Sequence, residues 1–66
     1  MKISYTKLWK LLIDKKMNKS DLRRITGISA ATIAKLGKGE NVNTDILIRI
    51  CSALDCKLFD IMEIVN

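Results

Sequence analysis

The sequence predicts an all-α fold of five short helices in one domain over residues 1–66. Two observations predict it. Apolar residues recur three and four positions apart along almost the whole chain, which is the spacing of one helix face, and no segment alternates convincingly as a half-buried strand does. The interruptions are few and sharply placed: there is no proline, and glycine occurs only at 27, 37 and 39.

The first helix is expected over about Tyr5 to Lys15. Leu8, Leu11 and Leu12 mark its inner face, Tyr5 and Trp9 flank them, and Ser4 or Thr6 is placed to cap its start. The preceding Met1–Ser4 is compatible with extended chain. Asn18 caps a second helix, about Lys19 to Thr26, whose third position carries Asp21, a charge suited to the positive helix start. Leu22 and Ile25 face inward. Gly27 stops this helix, because a residue without a Cβ enters the left-handed region freely. Ile28 plugs the turn, and Ser29 caps a third helix, about Ala30 to Leu36, which Gly37, Lys38 and Gly39 end. Asn43 or Thr44 caps a fourth, running to about Leu54 on Ile46, Leu47, Ile50, Cys51 and Leu54. Asp55 and Cys56 break it. A fifth helix, about Leu58 to Glu63, carries Leu58, Ile61 and Met62.

Composition narrows the function classes. A chain of 66 residues buries only about 60% of its unfolded surface, so its stability is marginal. The net charge of +5, from 12 basic and 7 acidic residues, implies an anionic partner: nucleic acid, an acidic protein or an anionic membrane surface. The three aromatics, Tyr5, Trp9 and Phe59, are too few for a base-stacking platform. Cys51 and Cys56 are the only cysteines and histidine is absent, so no four-ligand zinc site can close within one chain. Cys51 reads as a core residue, no disulfide is expected, and neither a metal nor a cofactor is expected. The apolar runs fall short of the ~20 residues a membrane span needs, and the chain reads as cytoplasmic. Without histidine, a nucleophile–base pair or a phosphate-binding glycine motif, an enzyme is the least supported class.

Helices two and three, joined by a turn containing glycine, form a helix-turn-helix unit. Leu22, Gly27, Ile28, Ile33 and Leu36 put apolar residues on both inner faces and glycine at the bend. With "TGIS" before the third helix and "VNTDILIRICSALD" and "ICSALDCKLFDI" after it, the chain resembles the Cro and phage-repressor (lambda-repressor-like, Xre-type) DNA-binding family, in particular its small bacterial or phage members. The resemblance runs from about Tyr5 to Met62. It implies a lambda-repressor-like bundle that binds double-stranded DNA with helix three in the major groove, as a transcriptional regulator and commonly a repressor.

The chain departs from the family pattern in three places. Arg23 stands where the second helix usually has alanine, so a long charge must reach outward past the turn. Several members join helix one to the end of helix three by a buried arginine–glutamate pair; the matching positions are Leu12 and Gly37, so packing of Leu12 has to replace it without desolvating two charges. Members also often read bases with glutamine, asparagine or arginine on the third helix, and "AATIAKL" has none.

At 100° per residue, Ile33, Leu36 and Ser29 fall on the core side of the third helix. Ala31 and Lys35 point the opposite way, Ala34 and Lys38 lie to one flank, and Ala30 and Thr32 sit near the edges. In the family's docking mode this bare face lets the backbone sink into a groove about 12 Å wide. Base contacts are therefore expected from Ala30, Ala31, Thr32 and Lys35: methyls against thymine methyls, the Thr32 hydroxyl to a base edge, and Lys35 to guanine or a phosphate. Phosphate contacts are expected from Asn18, Lys19, Ser29, Lys38, Asn41 and Asn43, which flank the groove at helix starts or in the glycine loop.

One short helix reads few base pairs, so pairing of two subunits is expected, with half-sites about 34 Å apart. The end "LFDIMEIVN" holds more apolar residues than one small core needs. Phe59, Ile64 and Val65 are accordingly expected at a homodimer interface. No small-molecule effector and no membrane partner are indicated. The rival class is a protein-binding module on the same fold, such as an antitoxin or partner subunit gripping its target with this apolar end. A third reading, interfacial membrane binding by "KLWKLLIDKK", conflicts with the need for Leu8 and Leu12 in the core.

Overall fold

In chain order the computed structural model, which describes residues 1–66, contains strand β1 (Lys2–Ser4), helices α1 (Thr6–Asp14), α2 (Lys19–Thr26), α3 (Ala30–Gly37) and α4 (Thr44–Leu54), a 3₁₀ turn (Leu58–Asp60) and strand β2 (Glu63–Val65). Helices α1 to α4 lie within a residue of where the spacing puts them. The five-helix, all-α expectation is corrected at the C-terminal end. The fifth helix, expected to about Glu63, is a three-residue 3₁₀ turn, after which the chain extends. β2 pairs antiparallel with β1 in the register Lys2↔Val65, Ile3↔Ile64, Ser4↔Glu63. Two local causes account for it. The Asp60 carboxylate accepts from the Lys57 N–H at 2.9 Å and closes a single tight turn. Ile64 and Val65 are β-branched and fit a pleated strand better than a helix.

The helix ends follow the expected chemistry with one exception. Asn18 and Asp21 form a reciprocal cap on α2: the Asp21 N–H donates to Asn18 Oδ1 at 2.8 Å and the Asn18 N–H to Asp21 Oδ2 at 3.0 Å. These bonds and the Arg24 guanidinium hold the Asp21 carboxyl below its ordinary range. Gly27 closes α2 at φ +73°. Ser29 caps α3 through the Thr32 N–H, and Asn43 rather than Thr44 caps α4 through the Asp45 N–H. For α1, Tyr5 occupies the cap position and offers no side-chain bond; the Ser4 hydroxyl accepts only a long 3.4 Å bond from the Thr6 N–H.

The core comprises Tyr5, Leu8, Leu12, Leu22, Ile28, Ile33, Leu36, Leu47, Ile50, Leu54, Ile61 and Met62, and no charged side chain is buried. Leu12 packs in this core, as the missing arginine–glutamate pair requires. Several inward expectations fail. Ile25 is 40% exposed, beside Ile48 on the rim between α2 and α4, and Leu58 is 39% exposed because the tight turn swings it out. Cys51 is only half-buried, packed against the core rather than in it.

Two stability predictions arise here. The Tyr5 hydroxyl is buried without a hydrogen-bond partner, a state that costs about 1–3 kcal/mol. Tyr5→Phe is expected to raise the thermal midpoint or leave it unchanged. Burial also pushes the Tyr5 phenol above its ordinary value of 10.0. A pKa raised in the folded state means stability that is full below pH 10 and lost as pH rises through the folded value, so the Phe variant is expected to lose less stability on that alkaline limb. Melting curves against pH check both.

The glycines make the second. Gly37 closes α3 in helical conformation, and an added Cβ would come no nearer than 3.7 Å to any atom outside its own turn. Gly37→Ala is expected to stabilise by about 0.5–1 kcal/mol. Gly39 sits at φ +71°, where an added Cβ would meet the Ile3 carbonyl of β1 at 3.3 Å, so Gly39→Ala is expected to destabilise. Urea midpoints of the two variants should move in opposite directions.

Candidate nucleic-acid interface

The exposed side of α3 is where the bare face falls. Ala30, Ala31, Ala34 and Lys35 are exposed, and no other segment of the subunit covers them. Ile33 and Leu36 anchor the opposite side in the core, in the same buried cluster as Leu22 of α2. Ser29, expected toward the core, is exposed instead, because its hydroxyl turns back to cap the helix. Thr32 is half-buried, and its hydroxyl lies 3.0 Å from that of Ser29, so each is partly engaged by the other. Among the four expected base-contacting residues, the alanines and Lys35 are the free ones.

The electrostatics around this face are lopsided. Only two ion pairs form in the whole chain: Arg24 with Asp21 at 3.1 Å, and Lys7 with Glu63 at 4.0 Å. Lys19, Lys35 and Lys38 have no carboxylate partner, and all three are exposed. Lys38 is the C-cap residue of α3 and precedes Gly39, which sits at φ +71°. Asn41 and Asn43 are exposed in the loop that follows. Capping takes Oδ1 of Asn18 and of Asn43, which leaves the amide N–H₂ of each as its remaining donor group.

Two contributors are not visible in the sequence pattern. Pairing of β1 with β2 lays the N-terminal strand across the end of α3 and brings Lys2 to an open cleft of about 710 Å³ that Lys35, Gly39, Glu40 and Asn41 also line. The signal for it is the β-branched pair Ile64 and Val65 near the chain end, together with Ile3 near its start. The second is Trp9, whose ring lies under the Lys19 ammonium at 4.8 Å from its centroid. Of the expected dimer residues, Phe59 is 64% and Ile64 60% exposed, while Val65 is half-buried in the sheet. No group of three or more histidine, cysteine, aspartate or glutamate side chains is placed to hold a metal ion, and no helix is long and apolar enough to cross a membrane.

A capped two-helix unit around a glycine bend, with the second helix presenting a short-residue face edged by unpaired cations, defines a helix-turn-helix DNA-binding domain. The profile of the Cro/C1-type HTH DNA-binding domain matches residues 7–66. The chain belongs to that family. Among solved structures it is similar to the transcriptional regulator VanUg, with 51% sequence identity, a TM-score of 0.95, and alignment over 98% of this chain and 87% of that one. No curated protein matches the chain.

Proposed function

We propose that the chain is a sequence-specific transcriptional regulator, acting as a repressor and binding its operator as a homodimer with α3 of each subunit in the major groove. The observation that carries this reading is the free face of Ala30, Ala31, Ala34 and Lys35, flanked by cations without a carboxylate partner. The family membership and the similarity to a transcriptional regulator support it. Short side chains let backbone and methyl groups approach base edges, Lys35 supplies a long donor, and Thr32 adds a hydroxyl at the edge of the face. Asn18, Lys19, Ser29, Lys38, Asn41 and Asn43 hold the flanking phosphates and set the register. The exposed Phe59 and Ile64, with Val65 beside them, pack across the two-fold axis. Occupying the operator excludes other proteins from it, which is itself repression.

The test is selection of bound sites from random duplexes at two salt concentrations, followed by binding assays on the selected site. Lys35→Ala is expected to reduce the preference for the selected site over random DNA. Lys38→Ala is expected to weaken binding to both and to lower the slope of log affinity against log salt by about 0.9 for each phosphate it leaves without a cation. If Lys38→Ala titrates like the parent at every salt concentration, its phosphate role is wrong. Sedimentation that finds only the 7.5 kDa species without DNA, and a single chain on each operator duplex with it, removes the dimer. A single protein partner captured without salt sensitivity, and no selected duplex, points instead to a protein-binding module.

A further inference from the structure

Lys19 is the first residue of α2, yet its side chain belongs to a junction of three helices. Its Nζ lies 4.8 Å from the centroid of the Trp9 ring on α1, inside the ~6 Å range of a cation–π contact. On the other side is the end of α3, where a Cβ on Gly37 would stand 3.7 Å from the same nitrogen. The lysine remains exposed, Trp9 is half-buried, and no carboxylate oxygen comes within 4.0 Å of the ammonium. The nearest acid in the sequence, Asp21, is occupied by the Asn18 N–H and by Arg24.

That choice of partner has a consequence. A carboxylate would fix the ammonium but cancel its charge. An aromatic face attracts the cation while contributing no net charge, and the remaining N–H groups stay open. A long, flexible lysine otherwise loses its rotamer freedom when it binds, so a side chain already held in place loses less. Lys19 follows Asn18 in the chain, and the amide N–H₂ of Asn18 is not used by the α2 cap.

We propose that Trp9 is a positioning residue for DNA binding: its indole holds the Lys19 ammonium in place, still charged, for a backbone phosphate. This rests on the DNA-binding reading above and adds a residue and a role to it. On binding, the ammonium lies between indole and phosphate, so the single tryptophan of the chain reports the contact.

The experiment is a double-mutant cycle on a labelled operator duplex at about 50 and 200 mM salt, using Lys19→Met, Trp9→Leu and the pair together. Methionine keeps an apolar stem over the ring and removes the charge. Lys19→Met is expected to weaken binding about 5–10-fold at the lower salt and to flatten the salt slope. Trp9→Leu is expected to weaken it about 3-fold, and the double variant to be no weaker than Lys19→Met alone. Losses that multiply in the double variant, or a Trp9→Leu variant with parental affinity and slope, overturn the proposal. If Trp9→Leu fails to fold by circular dichroism, Trp9→Phe, with its weaker ring face, takes its place under the same criterion. Titration of the parent with DNA gives an independent readout. Tryptophan emission is expected to change with the midpoint of binding in the parent and to stay constant in Lys19→Met as it binds; an equal change in both sinks the assignment. A parent chain that binds no duplex at all overturns the DNA reading, whereas a parent that binds with an additive cycle overturns Trp9 alone.

Discussion

Replacing Ala31 with glutamate is expected to abolish operator binding and leave the fold intact. Ala31 is exposed in the first turn of α3, with no neighbour to lose. A carboxylate there suits the positive end of the helix and adds at most a few tenths of a kcal/mol of stability. Inside the groove the same carboxylate faces a wall of phosphates. Like charges brought together in this way cost several kcal/mol, which corresponds to a loss of about 100-fold or more. Ala31→Gln separates charge from bulk. Its side chain is nearly the same size, is neutral, and can pair with adenine, so it is expected to retain much of the affinity and to change the preferred base. The measurement is operator retardation beside a thermal melt for each variant. Binding by Ala31→Glu within about threefold of the parent means that α3 does not enter the groove.

The contrast between α3 and the chain ends shows what the sequence carries. Helix faces, caps and the bend are local features. Gly27 at positive φ, Asn18 and Ser29 as caps, and Ile33 and Leu36 at helical spacing are all legible because each is decided within four or five neighbouring residues. The two-stranded sheet is not, because its pairing joins residues sixty positions apart: Lys2 opposite Val65. A three-residue strand has no period to detect, and Ile61 and Met62 suit one turn of helix as well as an approach to a strand. The unseen sheet also hides the cleft that Lys2 lines together with Lys35. Trp9 and Lys19 are each legible as residues on their own helices, but their contact depends on how α1 meets α2, which spacing does not specify. The alanine face is fully legible, whereas the engagement of Thr32 with Ser29 depends on rotamers and is not.

The other large effect concerns Leu22. This side chain is completely buried and lies where α2 meets α3 and α4. Leu22→Ala leaves a cavity under the recognition unit and is expected to cost about 2–5 kcal/mol. Typical stabilities per residue place a chain of this size at only about 3–10 kcal/mol, and a small domain sits toward the lower part of that range. The variant is therefore expected to be partly or wholly unfolded at 37 °C and to bind operator weakly for that reason. The weakness differs in kind from that of Ala31→Glu. DNA binds only the folded form, so excess operator at a hundred times the dissociation constant returns about 2.7 kcal/mol to the folded state. Circular dichroism of Leu22→Ala is expected to show helix recovered when its operator is added, with affinity improving on cooling from 37 °C to 15 °C. Ala31→Glu, folded throughout, is expected to show neither response. If Leu22→Ala melts within a few degrees of the parent, α2 does not depend on this contact, and the rigid presentation of α3 must come from Ile28, Ile33 and Leu36 instead.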